Sequence, residues 1–195
     1  SLLAGHWHTR GKHPQPDAVD RMLLAQAQSE GLSLVSIDLA LNETAREVSW
    51  QTEPTTVIRS GSTVPWSIYQ DSSGGENWKS SNHVDADGEL TVSFRGYEVR
   101  SGDEISVLES GFRSQPLVRL DAGSVWAAAT VEGFWQNFPK AIRCRSDEFS
   151  IGLFPGECAK PFELQGGERK RHTVMLELGN PGMQCSLDRM MCPLD

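Results

Sequence analysis

Apolar and polar residues alternate with a period of two along most of this chain. Val35, Ile37, Leu39 and Leu41 alternate with small or polar residues, which is typical of a strand that buries one face. Turn residues separate further segments of this kind, and the pattern predicts a mostly β fold, an antiparallel β-sandwich. The predicted strands are Glu47–Thr52, Thr56–Arg59, Trp66–Gln70, Leu90–Arg100, Ile105–Ser110, Leu117–Asp121, Val125–Val131, Ala141–Arg145, Phe149–Phe154 and Thr173–Leu178.

One segment near the start has helical spacing instead. Apolar residues recur at helical intervals over Asp17–Gln28, Asp17 can cap the first turn, and Gly31 suits the end of a helix. The sequence therefore predicts one N-terminal helix. Residues 1–16 are polar and rich in His and Pro and are predicted to be flexible, and residues 17–195 are predicted to form a single β-rich domain.

Composition narrows the classes of partner. The chain has 195 residues and a formal net charge of -8, which opposes binding to the phosphate backbone of a nucleic acid. No run of 18 apolar residues occurs, so no membrane-spanning helix is expected. No signal peptide is visible, and cellular location stays open between secreted and cytoplasmic.

No cofactor or metal site is predicted. The cysteines form no CxxC pair of the kind that zinc sites use, although a Cys144–Cys158 disulfide stays open. Asp71, Glu76 and Asp85 are hard oxygen ligands, but their spacing matches no calcium loop. A divalent cation such as calcium therefore also stays open.

A long polar stretch, Gln70–His83, interrupts the alternation and is predicted to be a loop. It gathers groups that suit a sugar, namely amides and carboxylates for hydroxyls and an indole for a pyranose face. His83 at its end can act as a base near neutral pH. An ordinary solvated loop is the alternative. The candidate binding residues here are Glu76, Asn77, Trp78 and Lys79.

Two further segments carry candidate chemistry. On the predicted strand Leu90–Arg100, Arg95 and Tyr97 share a face, and a cation beside a phenol can neutralise a substrate carboxylate and lower the phenol's pKa. An amphipathic strand with a polar outer face is the alternative. Further along the chain, an aromatic run and a charged run contain more polar candidates. The alternatives are that the aromatic residues belong to the core and that the charged run is a solvated hairpin. These candidates are Gln136, Lys140, Glu163, Glu168 and His172.

Taken in order, these segments resemble the rhamnogalacturonan exolyase-like family of polysaccharide lyases. The resemblance spans roughly Leu32 to Leu178. Members of that family are larger, so the chain is expected to be a fragment that covers a central, super-sandwich-like β region. The segments that carry the resemblance are Gln70–Trp78, Ser80 with Asn82–His83, Phe94–Tyr97, Phe134–Lys140 and Glu163–Glu168.

The resemblance implies β-elimination on a uronate-containing polysaccharide such as pectin or rhamnogalacturonan. Arg95, Asn82 or Lys79 would neutralise the uronate carboxylate, and His83 or Tyr97 would serve as base and acid. The expected partners are an acidic polysaccharide or oligosaccharide and the remaining domains of a longer chain.

Two other functions stay open. One is a non-catalytic carbohydrate-binding or scaffold domain, and the other is a glycoside hydrolase that uses two of Glu76, Glu163 and Glu168. An acidic protein needs a local cationic surface to bind an acidic polymer. Convergence of the candidate cations would favour the lyase, whereas scattering would favour the scaffold. These cations are Lys79, Arg95, Arg113, Lys140 and Lys170.

Overall fold

The computed structural model describes the greater part of the chain from residue 37 onward. All described residues belong to Ser36–Asp195, one of two units into which the chain divides. The predicted helix Asp17–Gln28 and the segment 1–16 lie outside the described residues. The described ranges are 37–40, 47–52, 57–61, 65–85, 87–101, 106–145, 148–158 and 170–187.

The fold over these ranges is built from strands in two antiparallel sheets, which confirms the mostly β prediction. Sheet A has the order β1-β10-β9-β4-β5-β6, and sheet B has the order β11-β8-β7-β2-β3. A short 3-10 helix, Ser81–His83, lies between β4 and β5. The strands are β1 Ile37–Ala40, β2 Glu47–Gln51, β3 Val57–Gly61, β4 Trp66–Gln70, β5 Tyr97–Ser101, β6 Ser106–Gly111, β7 Leu117–Asp121, β8 Trp126–Val131, β9 Lys140–Arg145, β10 Glu148–Gly152 and β11 Val174–Gly179.

Alternate residues of the two sheets pack against each other in one buried core. Ile68 and Val99 come from sheet A, and Val118, Leu120 and Ala129 come from sheet B, all essentially without solvent exposure. The period of two seen in the sequence places these residues on the facing sides. The two sheets are therefore arranged as in a sandwich.

One predicted strand is too long. The observed strand β5 begins only at Tyr97 and ends at Ser101, one residue beyond the predicted Leu90–Arg100, while Leu90 forms an isolated bridge to Val84. Gly96 has φ of 89°, a left-handed conformation that a continuous strand does not contain. The residues before Gly96 belong instead to a long loop that begins after β4.

Several loops meet at one end of the sandwich. Because neighbouring strands run in opposite directions, β4 ends where β5 and β9 begin. Gln115, in the connection between β6 and β7, binds the ends of two strands of sheet B here, since its backbone N–H donates to Thr52 O (3.2 Å) and its Nε2 donates to Val131 O (2.6 Å). We call this region the loop end, and it comprises the described residues of 71–96, 112–116, 132–139, 153–158 and 170–173.

No helix among the described residues has both the length and the apolar character needed to cross a membrane.

Candidate functional site

Asp71 anchors the long loop between β4 and β5. Its Oδ2 accepts hydrogen bonds from the backbone N–H groups of Ser93 (2.6 Å) and Phe94 (2.9 Å), and its Oδ1 accepts one from the Tyr69 hydroxyl (2.7 Å). Asp71 is 1% exposed. A buried carboxylate with these partners is a structural group, so Asp71 is a poor candidate for a surface cation site.

Two glycines bring this loop into close contact with the end of β6. A Cβ atom at Gly74 would lie 1.8 Å from Phe112 O, and one at Gly96 would lie 2.0 Å from Gly111 O. Both glycines also have positive φ, 69° and 89°. Glycine is therefore required at both positions, and the loop is held directly against residues 111–112.

Two exposed arginines extend from this contact. The Nε of Arg95 donates to Gly74 O (3.0 Å), and its guanidinium lies 4.2 Å from the centre of the Phe112 ring. The Nε of Arg113 donates to Ser73 O (3.3 Å), and its guanidinium lies 4.3 Å from the centre of the Trp135 ring. Adjacent carbonyl groups thus hold both arginines, and we call Arg95 and Arg113 the arginine clip.

The arginine clip differs from other arginines of the fold in its charge balance. Over the described part of the chain, neither Arg95 nor Arg113 is paired with a carboxylate. Both residues are exposed, and among the described residues their terminal amino groups make no hydrogen bond. Three arginines elsewhere in the sheets are paired, as Arg100–Glu98, Arg119–Asp121 and Arg143–Glu157.

His83 lies at the loop end and is partly exposed. Its carbonyl accepts hydrogen bonds from the backbone N–H and the hydroxyl of Thr91, at 3.0 and 3.1 Å. Its ring packs edge-on against Phe138, with 5.1 Å between ring centres. Burial and the nearby charge of Lys170 lower the pKa of His83 below its usual value. The imidazole is therefore neutral at neutral pH and can accept a proton.

Lys140 is buried and fully hydrogen-bonded, which corrects its assignment to substrate binding. Its Nζ donates to three backbone carbonyls, those of Asn137 (2.7 Å), Pro139 (3.2 Å) and Leu153 (2.8 Å). The residue is 0% exposed. Burial, with a contribution from Lys170, lowers the pKa of Lys140 to about 7. Lys140 joins two loops and has no remaining N–H for a ligand.

His172 lies close to Lys140, with the Phe154 ring between them. The ring centres of Phe154 and His172 are 5.5 Å apart, and Lys140 Nζ lies 5.5 Å from the Phe154 ring. Both ring nitrogens of His172 are buried and have no hydrogen-bond partner within the described ranges. Burial, with contributions from Lys140 and Lys170, lowers the pKa of His172 to about 4.

Tyr97 is a core residue, and the prediction that it projects beside Arg95 is wrong. It is 3% exposed and packs between the sheets. Its hydroxyl donates to Glu109 Oε1 (2.7 Å), which also accepts the Thr52 hydroxyl (2.5 Å). The turn at Gly96 separates the two side chains, so Tyr97 faces the core and Arg95 is exposed at the surface.

The other predicted binding residues are at the loop end or outside the described residues. Trp78 is half-buried, and Lys79 Nζ lies 4.7 Å from the centre of its ring. The side chain of Asn82 and all of Glu163 and Glu168 lie outside the described residues. The exposed candidates are Glu76, Asn77, Lys79 and Gln136.

The candidate cations converge on this one end instead of scattering. Lys79, Arg95, Arg113 and Lys170 are on its loops, and Lys140 begins β9 directly below them. Lys170 Nζ donates to Phe138 O (3.1 Å), which brings it next to the partner of His83. The loop end therefore combines unpaired guanidinium groups, aromatic rings and a neutral imidazole.

Metal and disulfide chemistry receive no support from the part of the chain that is described. In it, no group of three or more His, Cys, Asp or Glu side chains is arranged to hold a metal ion. Cys144 is buried in the core, and Cys158 Sγ lies 3.8 Å from Thr91 O. The described cysteines form no disulfide.

Comparisons of the chain with models of protein families, with curated proteins and with solved structures found no match. The function is therefore inferred from the geometry of the loop end and from the resemblance of its segments.

Proposed function

We propose that this domain acts on a uronate-containing polysaccharide at the loop end and cleaves it by β-elimination, within a super-sandwich-like β region. The observation that supports this most is the convergence of sequence-distant segments. The loops 71–96, 112–116 and 132–139 meet at one end, which carries His83 and two guanidinium groups that have no carboxylate partner among the described residues. An acidic polymer needs such a local cationic surface on a protein whose net charge is -8.

His83 is the proposed base. A neutral, partly exposed imidazole can take the proton from the carbon next to the uronate carboxylate. The resulting electron pair forms the carbon–carbon double bond while the glycosidic carbon–oxygen bond breaks. A cation at the carboxylate stabilises the negative charge that develops on it, and this electrostatic effect is expected to be the largest catalytic contribution.

The acid in this proposal is the same histidine. The chain contains two tyrosines, Tyr69 and Tyr97, and both are buried. Because both phenols are buried, neither is available to a substrate. Burial and the neighbouring Asp71 also raise the pKa of Tyr69. The imidazolium of His83, formed by proton abstraction, can return its proton to the leaving oxygen.

The test is to incubate the protein with polygalacturonate and rhamnogalacturonan and to follow the near-ultraviolet absorbance of unsaturated uronate. The wild-type protein should give a rising signal. The His83→Ala variant should lose about a hundredfold or more of the rate, the usual contribution of a positioned acid–base group. Tyr97→Phe is the control and should keep the rate, because Tyr97 is in the core.

Other outcomes would reject β-elimination. Reducing ends without absorbance would indicate a hydrolase, and an unchanged rate in His83→Ala would remove His83 from the mechanism. Binding of the polymer without any product would support a non-catalytic carbohydrate-binding domain. The burial of both tyrosines favours that second candidate, since it leaves His83 as the one proposed group for both proton transfers.

A further inference from the structure

We propose that Arg95 and Arg113, the arginine clip, bind the carboxylate groups of an acidic saccharide. The inference takes the saccharide from the proposed function, but the site itself rests on the geometry of the two side chains. It assigns Arg113, which the proposed elimination does not use, to ligand binding. It also groups Arg95 with Arg113, whereas the sequence had predicted that Arg95 lies beside Tyr97.

Both guanidinium groups are held in place before any ligand arrives. Each Nε is engaged by a backbone carbonyl, and each guanidinium plane lies over an aromatic ring. The terminal amino groups remain for an external acceptor, and two such N–H donors match the two oxygens of a carboxylate. Because the side chains are already ordered, binding costs less conformational entropy than it does for a mobile arginine.

The surroundings of the arginine clip also favour an anion. Phe112 beneath Arg95 is 59% exposed, so this side of the loop end is open to solvent. Within the described ranges, no carboxylate neutralises either guanidinium. In an acidic protein, unpaired arginines that are fixed by neighbouring carbonyls are a local positive site for a negative group.

The arginine clip depends on the Gly74 turn. The carbonyls of Ser73 and Gly74 accept the two Nε donors, and Gly74 is the residue whose Cβ position is already filled by Phe112. The same contact that requires glycine therefore also sets the positions of both arginines.

The test is calorimetric titration of the 195-residue chain with trigalacturonate. Arg95→Gln and Arg113→Gln should each raise Kd by about tenfold, the usual effect of losing one charge-assisted contact. Arg119→Gln is the matched control. Arg119 also stacks on an indole, with its guanidinium 4.5 Å from the Trp126 ring, but it is paired with Asp121. Its substitution removes the same charge and should leave Kd within about twofold.

Three results would overturn the inference. They are wild-type affinity in Arg95→Gln or Arg113→Gln, equal weakening in Arg119→Gln, and no binding of trigalacturonate by the wild-type protein. Neutral galactotriose and inorganic sulfate are the comparison ligands. If sulfate competes as well as trigalacturonate, the assignment of an acidic saccharide as the ligand is wrong and the arginine clip is only a general anion site.

Separate measurements of binding and of cleavage distinguish this inference from the proposed function. If the protein binds through the arginine clip and releases no product, β-elimination fails and the arginine clip stands. If product forms but the Arg95 and Arg113 variants bind normally, the arginine clip fails and β-elimination stands.

Discussion

Lys140 and the arginine clip are cations at the same end of one fold, but their surroundings are opposite. Lys140 is buried and donates all three ammonium protons to backbone carbonyls. Arg95 and Arg113 are exposed and use one donor each for the backbone. Charge and location at this end of the fold are therefore the same for both kinds of cation. They differ in the number of N–H donors that are left for a ligand.

The largest effect is expected from Gly74→Ala. Its Cβ would meet Phe112 O at 1.8 Å with φ of 69°, so the loop must move, at an expected cost of about 3 kcal/mol. Chemical denaturation and trigalacturonate titration check the loss of stability and of affinity together. Gly88→Ala is the control, because Gly88 has φ of 79° but nothing within 4 Å of the added Cβ.

Gly88→Ala should cost only about 1 kcal/mol and leave trigalacturonate affinity unchanged. If the two alanine variants are equally stable, the close contact between residues 74 and 112 is not present in solution.

Lys140→Met is expected to have the next largest effect on stability. The substitution keeps an unbranched chain but leaves the carbonyls of Asn137 and Leu153 without their donor, at an expected cost of about 2 kcal/mol. The free energy of unfolding in urea measures it. Lys79→Met, at an exposed position, is the control and should change stability by less than about 0.5 kcal/mol. Higher stability in Lys140→Met would contradict the structural role.

Tyr97→Phe should have a smaller effect. It removes one hydrogen bond to Glu109, whose Oε1 keeps the Thr52 hydroxyl, so the expected loss is about 1 kcal/mol. Urea denaturation gives the loss, and the absorbance assay should show no change in rate. A fall in rate without a fall in stability would return Tyr97 to the reaction.

A further expected effect is that the free energy of unfolding falls in acid. The pKa of His172 is lowered from 6.5 to about 4 in the folded protein, so the unfolded chain binds the proton more tightly. The stability that the neutral imidazole provides is complete above about pH 6.5 and is lost as the pH falls towards about 4. His83 shifts in the same direction.

Thermal unfolding between pH 7 and pH 4 measures this dependence. His172→Gln should flatten the decline in the melting temperature, and His83→Gln should flatten it less, since burial of His83 is smaller. An unchanged slope in His172→Gln would contradict the depressed pKa.

Much of the fold could be predicted from the sequence because alternation is a local signal. The predicted strands Trp66–Gln70 and Leu117–Asp121 match the structure residue for residue. The prediction failed at Leu90–Arg100, because the break at Gly96 is caused by close contact with Gly111 and Phe112, which are distant in sequence. Alternation alone does not show such a contact.

The candidate site was predictable in location but not in its roles. Arg95 and His83 stand out by residue type within polar or aromatic segments. The carbonyls of Ser73 and Gly74 that hold the arginine clip are backbone groups, which sequence does not distinguish. The three carbonyls around Lys140 are also backbone groups, so its structural role became visible only in the fold.

Binding at the arginine clip is tested most directly by an NMR titration that follows the arginine Nε–Hε signals as trigalacturonate is added. Saturable shifts are expected at Arg95 and Arg113, with little change at the paired arginines Arg100, Arg119 and Arg143. Shifts confined to the paired arginines, or no saturable shift at Arg95 and Arg113, would contradict it.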